Sequence, residues 1–218
     1  PFMMAAWKIG PALATGNTVV IKPATWTPLS TLEVGRAAEA VGLPPGVLNV
    51  LTGPGGEVGA ALVAHPDVAM VSVTGDTATG KKIMATASET VKRVHLELGG
   101  KAPFIVYADA DMAAAIQGAV VGAYINTGQD CTAATRIYVE RSAYDAFLDG
   151  FVDEVKKIRV GPTESRQTDM GPLIADAQRT RVEGFVERAR QQRAEILTGG
   201  RRPVSMKKGF YYEPTVLL

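Results

Sequence analysis

Along the first half of the chain, short runs of β-branched residues alternate with longer amphipathic runs, and few folds accommodate that alternation. The runs at 18–21, 47–51, 69–73 and 93–98 are apolar enough to be covered on both faces, as strands of a parallel sheet are. Consecutive runs are separated by enough residues for one crossover helix, which a parallel connection requires. The first such helix is well marked. Thr27 is expected to cap it, Pro28 to occupy its first position, Leu29, Leu32, Ala37 and Ala40 to share one face, and Gly42 to lie just past its end. Pro44-Pro45-Gly46 then turns the chain into the second strand, and Gly53-Pro54-Gly55-Gly56 turns it out again into a helix through about residue 64.

Beyond Gly99-Gly100 the texture changes. A strand is expected at 103–107, an Ala-rich helix at 109–124, a strand at 136–140 and a helix at 142–157. A strongly charged helix near 175–192 and a turn-rich hairpin before 211–217 complete the chain, with Arg201-Arg202 and Lys207-Lys208 expected as solvated turn residues. The fold class is therefore α/β, divided into a first unit over 1–98 and a second over 99–218. A chain of 218 residues suits one or two domains at about 100–200 residues each.

Charge and sulfur content narrow the chemistry. With 23 Lys+Arg against 22 Asp+Glu, the formal charge of +1 gives no field that would draw nucleic acid or lipid headgroups, so a small molecule is the expected partner. Cys131, the sole cysteine, can form neither an intramolecular disulfide nor a CxxC metal site, which points to a reducing, cytoplasmic setting. No apolar run reaches the roughly 18 residues of a membrane span, and no metal site is expected. The chain opens on Pro1-Phe2-Met3-Met4 with no presequence, as an internal piece of a longer protein would.

Two glycine-rich turns follow strands. Gly53, Gly55 and Gly59 come after the second run, and Gly75 with Gly80 after the third. Glycines there let backbone amides approach an anionic group, although neither turn matches G-x-G-x-x-G and packing alone explains many such turns. Lys22 ends the first strand, at the sheet edge where ligands of open α/β folds sit; the alternative is an ordinary surface lysine.

Cys131 lies in a polar, small-residue segment, Asn126-Thr127-Gly128-Gln129-Asp130-Cys131-Thr132, after a helix and before a strand. A structural cysteine usually has apolar neighbours, whereas this loop could expose the sulfur and offer its own backbone amide to an oxyanion. Glu97 stands among strand apolars, where a carboxylate is seldom placed unless paired or functional; a general-base role fits.

These residues together resemble the NAD(P)-dependent aldehyde dehydrogenase superfamily. The resemblance rests on Val94-His95-Leu96-Glu97-Leu98-Gly99-Gly100-Lys101, Gly128-Gln129-Asp130-Cys131, Trp7-Lys8-Ile9-Gly10-Pro11-Ala12-Leu13, Gly16-Asn17-Thr18 and Lys22-Pro23, in order across essentially the whole chain. The run through Thr132-Ala133-Ala134 and the Tyr211-Tyr212 segment look most like the bacterial γ-aminobutyraldehyde dehydrogenases. The resemblance implies a parallel Rossmann-like cofactor domain followed by the start of an α/β catalytic domain. It implies Cys131 as nucleophile, Glu97 as the base for deacylation and Lys8 near the catalytic proton path. It further implies Lys22, Thr25, Gly55, Gly59, Gly75, Asp76 and Leu98 as positions around NAD or NADP, with Met4, Trp7, Asp130 and Thr132 on the aldehyde side. A homo-oligomeric parent, dimer or tetramer, is implied as well.

Departures from the family pattern carry information. Many NAD-preferring members place a Glu at the Thr25 position, and its loss removes repulsion against a 2′-phosphate, which makes NADP credible beside NAD. The usual Ser after Gly75 is Asp76, expected to turn away from pyrophosphate and cap a helix. The oxyanion Asn of the family's Trp-Asn-x-Pro motif would precede Pro1, and the Glu-x-Phe-Gly-Pro nicotinamide clamp would follow Leu218, so these 218 residues alone are expected to be nearly inactive. Asp130 either faces a cationic substrate tail or caps a turn. A CoA-acylating enzyme and a non-catalytic nucleotide-binding fragment are the competing possibilities; Glu97 argues against the former. His65 is expected in a turn, His95 as a packed core imidazole, Trp26 over the adenine or in the open, and Asp109 and Asp111 at the start of the helix that follows them.

Overall fold

In the computed structural model, which describes residues 1–218, the chain divides into two units, Pro1–Leu98 and Gly99–Leu218. The first begins with α1 (Phe2–Ala14), an element that the strand–helix alternation does not announce; it buries Ala5 and Ile9, one helical turn apart, and tolerates Pro11 in its last turn. β1 (Val19–Ile21) and β2 (Leu48–Val50) pair in parallel from Val19↔Leu48 to Ile21↔Val50, joined through α2 (Leu29–Ala40). A single π turn at Gly55–Gly59 leads into α3 (Ala60–Ala64). β3 (Met70–Gly75) and β4 (Arg93–Leu98) form a second parallel pair, Met70↔Arg93 to Gly75↔Leu98, joined by α4 (Thr77–Ser88).

Period-two alternation decides what that second pair buries. Val71, Val73, Val94 and Leu96 point to one side, where Val63 of α3 and Ile83 of α4 close a small apolar core. The intervening Ser72, Thr74, His95 and Glu97 belong to the other face. Thr27 does not cap α2 as expected: the Pro28 carbonyl accepts from the Thr31 and Leu32 amides, so helical bonding starts one residue late, and the Thr27 hydroxyl is buried without a partner.

The second unit is built on a third parallel pair, β5 (Pro103–Val106) with β6 (Arg136–Val139), and on α5 (Met112–Tyr124) and α6 (Tyr144–Lys156). Its main core joins Val106, Ala119, Phe147, Phe151, Val152 and Val155, with the Phe147 and Phe151 rings stacked at 5.7 Å. Asp111 alone caps α5, its Oδ1 accepting from the Ala114 amide at 3.1 Å, and Asp109 lies before the helix. α7 (Asp176–Gln191) buries Val186 with Leu173 and Tyr212. The final strand is shorter than its sequence suggests. β8 (Val216–Leu217) pairs antiparallel with β7 (Ile196–Thr198), while Tyr212 turns into the α7 core and Glu213 pairs with Arg201. Arg202 likewise pairs with Glu183, so both arginines are partnered surface groups. No helix is long and apolar enough to cross a membrane.

Candidate active site

In the first unit, the expected cofactor residues gather at the carboxyl ends of the parallel pairs. Lys22 leaves β1 with its ammonium folded onto the Pro23 carbonyl at 2.5 Å and 3.5 Å from the Gly53 carbonyl, which Thr25 Oγ1 also approaches at 3.5 Å. Gly53 has φ +147, and a Cβ there would meet Val58 at 2.5 Å, so the turn out of β2 requires glycine. At Gly55 and Gly56 an added Cβ would meet nothing, which leaves a bare backbone surface, and Gly59 packs beside the Lys22 stem. Gly75 ends β3, and Asp76 caps α4 by accepting from the Thr79 amide at 2.8 Å, as expected from its place before the helix. Leu98 ends β4 and packs against Gly80, where a Cβ would come within 3.0 Å of both Leu98 methyls.

The face of β4 that carries Glu97 is polar. Lys8 is partly buried, and burial lowers its pKa while the nearby Glu97 carboxylate raises it, the burial being the larger effect. Met4, Trp7 and Lys8 fall at helical spacing along one stripe of α1; Met4 Sδ accepts from the Thr74 hydroxyl at 3.6 Å, and Trp7 is exposed. His95 is not the core imidazole expected from sequence. Val94 and Leu96 take the apolar side, so His95 shares the Glu97 side, with Nε2 3.2 Å from Glu97 Oε1 and Nδ1 2.9 Å from Ser72 Oγ. The two-residue spacing of His95 and Glu97 within one strand is the sequence signal for this pair. His65 sits in a turn, its Nδ1 accepting from the Asp67 amide at 3.2 Å, and Trp26 is exposed.

In the second unit, Cys131 is exposed on a loop held under backbone strain. Asn126 (φ 52, ψ 38), Thr127 (φ 60, ψ 30) and Gly128 (φ 70) are consecutive left-handed residues, a conformation that costs about 1–3 kcal/mol at a non-glycine position and persists only when its surroundings impose it. The surroundings do so here. Asn126 Nδ2 donates to the Gln129 carbonyl at 2.9 Å, the Ala134 amide donates to Gly122 of α5 at 2.8 Å, and Ala133 and Ala134 are buried. Gly100 completes the clasp, since a Cβ there would stand 3.3 Å from the Cys131 carbonyl. The Cys131 backbone N–H makes no hydrogen bond within the chain.

Asp130 caps a turn through one carboxylate oxygen. Its Oδ1 accepts from both the backbone N–H and the hydroxyl of Thr132, each at 2.8 Å, and these bonds hold its carboxyl below the usual carboxylate range, with a smaller contribution from the Cys131 side chain. The Thr132 hydroxyl is thereby occupied. A hollow of about 670 Å³ opens on the flank of the loop, lined in part by Asn126, Thr127, Gln129, Leu173 and Phe210.

Residues 1–218 match the family model described as aldehyde dehydrogenase family. Aminoaldehyde dehydrogenase 2, peroxisomal, of Pisum sativum is 44% identical over 217 residues, covering 100% of this chain and 43% of that protein. A 3,6-anhydro-alpha-L-galactose dehydrogenase of Vibrio sp. is 45% identical over 219 residues, covering 100% of this chain and 46% of the relative. Among solved structures, a betaine aldehyde dehydrogenase from Staphylococcus aureus in complex with NAD+ superposes with a TM-score of 0.96 at 43% identity, over 100% of this chain and 44% of the other. The chain therefore spans less than half the length of the relatives that it matches.

Proposed function

Because this chain belongs to the aldehyde dehydrogenase family, we propose that it supplies the cofactor-binding and nucleophile portions of a longer enzyme that oxidises an aldehyde to its carboxylic acid with NAD+ or NADP+. The observation that carries this is the Cys131 loop: an exposed thiol on a strained, tightly clasped segment, beside its own unengaged backbone amide. The Cys131 thiolate adds to the aldehyde carbon, and its backbone N–H stabilises the oxyanion that develops. Bound NAD(P)+ would supply the hydride acceptor. Loss of hydride leaves an acyl thioester on Cys131. Glu97 then takes a proton from water, the hydroxide adds to the thioester carbonyl, the C–S bond breaks, and the acid leaves with Cys131 restored as thiolate.

The first unit fits a dinucleotide on its own chemistry. The open backbone at Gly55 and Gly56 can lie flat beneath a ring, Lys22 brings a cation to a ribose hydroxyl or 2′-phosphate, and Thr25 adds a hydroxyl without a repelling carboxylate. Gly59 packs beside the Lys22 stem, and Gly75, Asp76 and Leu98 lie at the carboxyl ends of β3 and β4. We assign Pro1–Leu98 as part of the cofactor domain and Gly99–Leu218 as part of the catalytic domain.

The aldehyde is read as 4-aminobutanal or another aminoaldehyde, with Met4, Trp7, Asp130 and Thr132 on its side. Support comes from the aminoaldehyde and betaine aldehyde specificities in the names of relatives and from the carboxylate of Asp130 beside the nucleophile. The parent is read as a cytoplasmic homo-oligomer. Glu97 favours hydrolysis over transfer of the acyl group to CoA, since an activated water would destroy the thioester first.

In the full-length protein, Cys131→Ala should lower NAD(P)H formation from 4-aminobutanal on the order of a thousandfold or more while leaving the NAD+ dissociation constant unchanged. Turnover within a few fold of wild type would remove Cys131 from the chemistry.

A further inference from the structure

We propose that His95 is a positioning residue for Glu97, and that Ser72, His95 and Glu97 form a relay that aims one carboxylate oxygen at the hydrolytic water. The inference rests on Glu97 acting as the deacylation base. Its own grounds are geometric. His95 and Glu97 are alternate residues of β4, and Ser72 is the register partner of His95 on β3, so the parallel pairing fixes all three backbones on one face. Nδ1 of His95 lies 2.9 Å from Ser72 Oγ, and Nε2 lies 3.2 Å from Glu97 Oε1.

A neutral imidazole satisfies both contacts in a single tautomer: the Ser72 hydroxyl donates to Nδ1, and Nε2–H is directed to the carboxylate. Oε1 is then committed and Oε2 is left to accept a proton from water. This matters because a glutamate carries several rotatable bonds, and its side chains here are half-exposed, at 41% for Glu97 and 51% for His95. A base that wanders loses the near-attack geometry on which its rate depends.

Other charged groups do not supply the same constraint. Lys8 of α1 is a cation whose charge interacts with that of Glu97, but an ammonium is a point charge on a flexible stem and does not select one carboxylate oxygen, whereas a planar imidazole N–H does. Arg93 precedes His95 on the same strand face, and α4, packed on the opposite apolar face, carries the exposed Lys81 and Lys82. Ser72 and Thr74 are the polar groups that β3 contributes.

The test uses the full-length enzyme with NAD+ and 4-aminobutanal, comparing the first-turnover burst of NADH with the steady-state rate. His95→Ala should keep a burst of one NADH per site at the wild-type rate while the steady state falls roughly tenfold to a hundredfold. His95→Gln, whose amide can still donate to Glu97, should recover to within about threefold of wild type, and Ser72→Ala should show a smaller loss confined to the steady state. A merely structural role would depress burst and steady state together, and that result overturns the inference. Glu97→Gln is the control. If its steady state falls by about a hundredfold or more with the burst kept, while His95→Ala and Ser72→Ala stay within twofold of wild type, the relay is wrong and the base stands. If Glu97→Gln itself turns over like wild type, the assignment of Glu97 falls and the relay with it.

Discussion

Asp130 stands beside Cys131, the nucleophile we propose, where a free negative charge would oppose thiolate formation, and its hydrogen bonds to Thr132 explain how it is tolerated. Both donors converge on Oδ1 and hold the charge toward the turn, leaving Oδ2 without a bond from Thr132. If that charge also meets a cationic substrate tail, Asp130→Asn in the full-length enzyme should cut kcat/KM for 4-aminobutanal about tenfold and that for butanal by about twofold or less. Equal losses for the two aldehydes would leave Asp130 with its turn alone. At this scale, the sequence identifies candidates better than partners. Cys131 and Glu97 stand out because each violates the polarity of its surroundings, and Asp76 stands out as a helix cap, a role that the bond to Thr79 bears out. His95 is misread because alternating with Leu96 looks like burial until Val94 and Leu96 are seen to take the apolar side together. The left-handed Asn126 and Thr127 carry no composition signal, since a strained loop is imposed by its surroundings and not by its own residues.

Elements were legible where a physical period ran long enough. β4 lies at Arg93–Leu98 as the sequence implies, and α6 follows an apolar stripe through Phe147, Phe151 and Val155. The stripe expected for α2 does not hold: Leu29, Ala37 and Ala40 are exposed, Leu32 is half-buried, and Thr31 is the residue the helix buries. Boundaries slipped where two signals competed. Thr27 and Pro28 both suit a helix start, and the helix begins after them because the Pro28 carbonyl takes the first amides. The strand–helix alternation does not announce α1, which carries Pro11 within its last turn. β7 and β8 are too short for alternation to show, and Tyr212 leaves the expected strand for the α7 core. α6 carries the heaviest apolar load of the second unit: Phe147 is 2% exposed and stacks on Phe151. Phe147→Ala should cost about 3–5 kcal/mol, read as a lower urea midpoint at unchanged slope; a loss under about 1 kcal/mol would mean that the cluster repacks around the gap.

The whole chain carries two groups of chemistry on two units. The first holds Glu97 with Lys8 and His95, beside strand ends suited to a dinucleotide, and the second holds Cys131 on its clasped loop. The α/β class was legible because parallel strands need crossovers, and both the family match and the superposed betaine aldehyde dehydrogenase agree with it. Which sulfur and which acid act in turn on one acyl group is a claim about sequence of events, and it has a direct readout. Glu97→Gln full-length enzyme, mixed with NAD+ and 4-aminobutanal and then digested for mass spectrometry, should hold one acyl group on the peptide containing Cys131, with one NADH released per site. An unmodified Cys131 peptide from enzyme that continues to turn over at the wild-type rate would contradict the account.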